Sequence, residues 1–112
     1  MRGVGGLSAE DQKLVTLARA TMARTGAPEG AAVRDLDGRT YAASSVSLAS
    51  LRISALEVCV AMAISSGSRG LEAAVRLSGE GEPDLRAVHE FAGPDVVVMQ
   101  GDSAGRVVGG SE

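Results

Sequence analysis

Aromatic residues are nearly missing from this chain: its 112 residues include one Phe, one Tyr and no Trp. A core built without them must come from Ala, Val, Leu, Ile and Met. Such side chains bury less area each, and at about 25 cal/mol per Å² each contributes less stability. Burial in so small a chain is therefore expected to be supplemented by self-association. Cysteine is limited to Cys59, which excludes an intrachain disulfide framework and fits a reducing compartment. No apolar run approaches the roughly 18 residues of a spanning helix. Met1 to Gly6 holds one Arg and no apolar block, unlike a signal peptide. Ten Arg and one Lys leave a net charge of −3, with no basic run to hold nucleic acid or an anionic membrane. A soluble, cytoplasmic protein is expected.

What is present is apolar and patterned. Apolar residues make up 45% of the chain, which fits one globular domain. Residues 1–7 are expected to be a flexible leader, 8–108 the domain and 109–112 a flexible tail. Ser8-Ala9-Glu10-Asp11 opens a helix, since the Ser8 hydroxyl can cap it and the acids complement its dipole. Leu14, Leu17, Ala18 and Met22 recur at helical spacing, and Gly26 with Pro28 closes the helix. Glu29 to Asp35 and Arg39 to Val46 read as a hairpin about Asp37-Gly38. Leu51 to Ser66 alternates like a strand at first, but its length and alanines favour a helix, apolar nearly all round. Gly70 to Ser78 is a strand and Pro83 to Phe91 a short helix. Asp95 to Gln100, with its valine run, is an interior strand. Asp102 to Gly105 turns into a last strand, Arg106 to Val108. No internal repeat is evident.

This order, α-β-β-α-β-α-β-β, resembles the cytidine deaminase family, and so do three stretches. Gly30-Ala31-Ala32-Val33 with Asp37-Gly38-Arg39-Thr40-Tyr41 is similar to the family's first hairpin. Leu51 to Gly67 is similar to its central helix, without gaps from Ser54 onward. Glu90 to Asp95, the valines and Gly105-Arg106-Val107-Val108 resemble its third helix and final strands. The resemblance spans residues 8 to 108. It implies an α/β fold: a three-layer α/β/α sandwich around a mixed central sheet of about five strands.

The resemblance also implies zinc chemistry, and there the residues depart from it. In the family, a zinc held by one Cys or His and two Cys activates water, and a Glu that is not a ligand moves the proton. Ser54 stands at the first ligand position and Leu56 at that of the Glu. A serine hydroxyl is a poor zinc ligand, and Leu cannot carry a proton. Counting back from Glu90-Phe91 across an ungapped loop, the two remaining cysteines fall on Gly81 and Asp84. The family's ribose-binding Asn-x-Glu matches Ser45-Val46-Ser47, and Ser45 and Ser47 are too short for that reach. The family's final helix has no counterpart before Glu112. No cofactor is expected.

Other residues offer little to rebuild a site. Glu57 and Cys59 lie two apart on a helix and face different ways. Cys59 reads as a small buried hydrophobe. Asp95 and Asp102 are further candidates; His89 reads as structural, the alternative being a zinc site with Asp84 and a second carboxylate. Glu80, Glu82 and Asp84 read as a solvated acidic loop. Ser44-Ser45 and Ser65-Ser66 read as turn and helix-end residues, and Gly5-Gly6 and Gly109-Gly110 as linkers.

Three functions stay open: a non-enzymatic oligomeric interaction or regulatory protein, a nucleoside- or nucleotide-binding sensor without turnover, and a hydrolase or deaminase of unfamiliar mechanism. A homo-oligomer, dimer or tetramer, is expected through the central helix. Val58 and Met62 would form its patch, and Ala55 and Ala61 would admit a close second backbone. The competing arrangement has the helix from Ser8 to Arg24 fold back over that face within one chain.

Overall fold

A computed structural model describes residues 7–79 and 81–111. Helix α1 spans Ala9–Thr25, begun and ended by local chemistry. The Ser8 hydroxyl accepts the Asp11 amide at 3.0 Å, and Gly26 closes the last turn in the left-handed conformation. Strands β1 (Glu29–Asp35) and β2 (Thr40–Ser44) form the expected hairpin. Next come β3 (Val46–Leu48) and β4 (Leu51–Ile53), then helix α2 (Ala55–Ser65), β5 (Leu71–Ser78), helix α3 (Arg86–Ala92), β6 (Val98–Gly101) and β7 (Val107–Ser111).

Five strands make the central sheet, in the order β2-β1-β5-β6-β7. The β5–β6 pair is parallel and the other three pairs are antiparallel, so the sheet is mixed. Side chains alternate across it. Ala32, Ala73, Val75, Leu77 and Met99 meet Leu14, Val15, Ala18 and Met22 of α1. Ala31, Val33, Ala74 and Val98 meet α2 and α3 on the other face, through Leu56, Cys59, Val60, Ala63 and Val88. The result is the expected α/β/α sandwich. Gly30 permits the close seat of α1, since a Cβ there would lie 2.7 Å from the Ala18 carbonyl oxygen.

Several boundaries differ from the sequence reading. The alternation of Leu51 and Ile53 belongs to β4, which pairs with β3 in a separate two-stranded sheet. The first hairpin's return strand ends at Ser44, and α2 starts only after Ser54. Pro83 lies outside α3, whose first helical residue is Arg86. The valine run is only partly strand: Val96 is buried ahead of it, Val97 is exposed, and β6 begins at Val98. Residues 109–111, read as tail, continue β7 and pair with β6. The leader reading falls on residues 1–6, outside the described residues, while Leu7 packs against the α1 cluster. Among the described residues no helix is long and apolar enough to cross a membrane.

One local pattern recurs. In Asp35-Leu36-Asp37-Gly38-Arg39 and Asp102-Ser103-Ala104-Gly105-Arg106 the first carboxylate accepts two amides of its own loop and the Arg Nε. Gly38 and Gly105 hold φ of 87° and 90°, a region costly for any side chain.

Candidate functional site

The start of α2 is where the family resemblance places the first metal ligand. Ser54 is extended there, with φ −72° and ψ 161°, and caps the helix. Its hydroxyl accepts the Glu57 amide at 3.1 Å, and the Glu57 carboxylate accepts the Ser54 amide at 3.0 Å. This reciprocal capping box commits Glu57 as well as Ser54 to the helix end. Ser-x-x-Glu before an apolar run was the signal for this boundary, and the sequence reading overlooked it. Leu56 is 2% exposed within the core cluster that α2 shares with β1 and β5.

Beside this cap lies a charged pair that sequence reasoning missed altogether. Glu29, the first residue of β1, accepts the Ala55 amide at 2.8 Å through one carboxylate oxygen. Its other oxygen accepts Arg76 Nε at 2.7 Å. A second nitrogen of Arg76, Nη1, donates to the Gly81 carbonyl at 3.0 Å. The two side chains are 14% and 9% exposed. Arg76 stands on the inner face of a sheet strand, where a lone charge would be costly, so a partner is required. An Arg at an apolar-face position of Leu71–Ser78 was the available clue. Its partner lies 47 residues away, beyond what spacing reveals.

The other candidates lie apart. Gly81 offers only its backbone, at φ 81°. Asp84 is exposed and held by Arg86, whose guanidinium nitrogen is 2.6 Å away; hydrogen bonds from Arg86 hold the acid down at about 2. Ser45 is half-buried and donates its amide to the Glu29 carbonyl at 3.1 Å, while Ser47 is exposed on β3. Cys59 is buried, its thiol 3.7 Å from the Tyr41 carbonyl, and burial pushes the thiol up to about 12. His89 is half-buried on α3, and its Nε2 has no hydrogen-bond partner. Asp95 is exposed, and Asp102 is engaged within its own loop. Glu82 is exposed, and Glu80 lies outside the described residues. Among the described residues no three His, Cys, Asp or Glu side chains converge as a metal-binding group. A capping hydroxyl, a buried leucine, a glycine and an ion-paired surface aspartate do not fit a zinc site.

A second feature lies on the outer side of α2. Tyr41, Ile53, Val58, Ala61, Met62, Ser65 and Ser66 line an open groove of about 400 Å³. Val58 and Met62 are half-buried against the chain's own core, and Ala61 is exposed. Ala55 is not available to a partner: it is fully buried in the chain's own core, because the first turn of α2 faces the sheet. Helix α1 covers the opposite face of the sheet, so the alternative in which it folds over α2 does not hold.

Comparison with known proteins agrees with this architecture. Cytidine deaminase from Burkholderia pseudomallei superposes with a TM-score of 0.78 at 20% identity, covering 95% of this chain and 93% of that one. Cytidine deaminase from Mycobacterium leprae gives 0.67 at 25% identity over 79% and 85%. A mutant cytidine deaminase from Mycobacterium tuberculosis gives 0.65 at 25% identity over 77% and 81%. No curated protein sequence matches the chain. The cytidine deaminase-like family model matches residues 7–105, nearly the whole chain, and the chain belongs to that family.

Proposed function

We propose that this chain is a non-catalytic member of its family that serves as an oligomeric interaction or regulatory protein. The observation that carries this reading is the use of the expected metal-ligand position as a helix cap: the Ser54 hydroxyl accepts the Glu57 amide, and the neighbouring Ala55 amide is held by Glu29. A fold relieved of chemistry still offers surfaces. The outer side of α2 is the favoured one, with Val58, Ala61 and Met62 along the groove and Ile64 51% exposed. A second copy packed there would add apolar burial to a core poor in aromatics. A nucleoside sensor draws less support, since Ser47 is exposed and Ser45 engages Glu29 through its backbone.

Sedimentation and a cytidine turnover assay on the same preparation test the proposal. The expected result is an assembly whose mass is a multiple of 11.3 kDa, without cytidine turnover. Met62→Glu should dissociate it into folded single chains. A clean monomer at micromolar concentration, or turnover that co-purifies with the chain, would overturn the proposal. A nucleoside that raises the melting temperature would favour the sensor instead.

A further inference from the structure

The path of hydrogen bonds around Arg76 joins four parts of the fold. It runs from the Ala55 amide to Glu29, from Glu29 to Arg76, and from Arg76 to the Gly81 carbonyl. It therefore links the first residue of α2, the start of β1, the middle of β5 and the loop before α3. The two outer ends, at residues 54–56 and 81–84, are the segments the family resemblance assigns to the metal. A zinc there would tie the same two segments together. Here each contact along the path involves a charged group, and such hydrogen bonds are stronger than neutral ones.

We propose that the Glu29–Arg76 pair is a metal-independent cross-link, doing for the start of α2 and the loop before α3 what a shared metal would do. It also sets a guanidinium cation beside Gly81, which disfavours a divalent cation in the same place. The inference rests on the family membership of the chain and on these contacts, not on the proposed oligomeric role. It explains why this charged pair is kept on a sheet face that is largely apolar. A buried ion pair is seldom retained for stability alone, since apolar replacements of similar volume often do as well.

A double-mutant cycle on the full chain tests this, using Glu29→Gln, Arg76→Met and the two combined. Thermal melting and amide hydrogen exchange at Ala55 are the readouts. Arg76→Met leaves the buried Glu29 carboxylate without its cation and should lower the melting temperature by about 10 °C or more. It should also speed exchange at Ala55 by about tenfold, although Arg76 does not touch that amide. Glu29→Gln should cost about 5 °C. The double variant should recover at least half of the larger loss, because Met buries no charge. If Arg76→Met fails to fold, the double variant decides: a folded protein within about 5 °C of the parent supports the cross-link. Additive losses with unchanged exchange at Ala55 would overturn it. That result could coexist with a zinc-free, inactive oligomer, so its failure and the failure of the proposed function are separate outcomes.

Discussion

Asp35 is a fully buried carboxylate. Burial alone would raise its pKa. The Ser68 hydroxyl, the Arg39 and Asp37 amides and the Arg39 guanidinium outweigh that and hold it at about 2. A carboxyl whose folded pKa is depressed contributes stability above its unfolded value, 3.8, and that contribution fades as pH falls through about 2. Asp35→Asn should therefore cost about 2 kcal/mol at pH 7, and the difference from the parent should shrink steadily as pH is lowered from 4 towards 2. Urea unfolding of both proteins across that range checks this, and a pH-independent difference would contradict it. The loop itself was legible, because Asp-x-x-Gly-Arg occurs twice and each copy is closed by its own backbone. The burial was not. Asp35 is enclosed through Ser68 and Tyr41, while Asp102 has the same loop contacts and stays accessible. The identity of a local motif comes from the sequence around it, and its environment comes from segments far away.

Among the elements, α2 joins both candidate sites. Its existence is readable from length and alanine content, but the sequence places its start four residues early, because Leu51 and Ile53 carry the same apolar signal in a strand. The Ser54–Glu57 box sets the true boundary. Ser54→Ala should lower stability by about 1 kcal/mol, and Ser54→Asp should largely preserve it, since a carboxylate caps the same amide. Urea midpoints of the two variants decide the matter, and a neutral Ser54→Ala would mean that the cap does not hold the helix start. The third helix was also read too early, from the fit of Pro83 to a first turn; Asp84 instead caps the Arg86 amide from outside, at 3.1 Å. The valine run shows a related limit. β-branched residues favour a strand, yet the chain becomes one only where Val98 meets Ala74 of the neighbouring strand.

At the scale of the whole molecule, the order of the main elements is legible because each strand carries its own apolar pattern between turn residues, while the mixed five-stranded sheet follows from the family resemblance. The small β3–β4 sheet was not, because its strands are only three residues each. The layering then separates two roles. Helix α1 seals one face of the sheet, and α2 with α3 seals the other, leaving an apolar groove on the outer side of α2. Inside, the start of α2 and the 81–84 loop meet through Glu29 and Arg76, and among the described residues no three metal-binding side chains converge. On the proposed reading, this arrangement stands in place of a zinc site. Its most direct test is elemental analysis of the native protein after equilibration with excess zinc and removal of unbound metal. Less than ~0.1 zinc per chain is expected, because no set of thiolates or imidazoles converges there. About one zinc per chain, released only on unfolding, would contradict it.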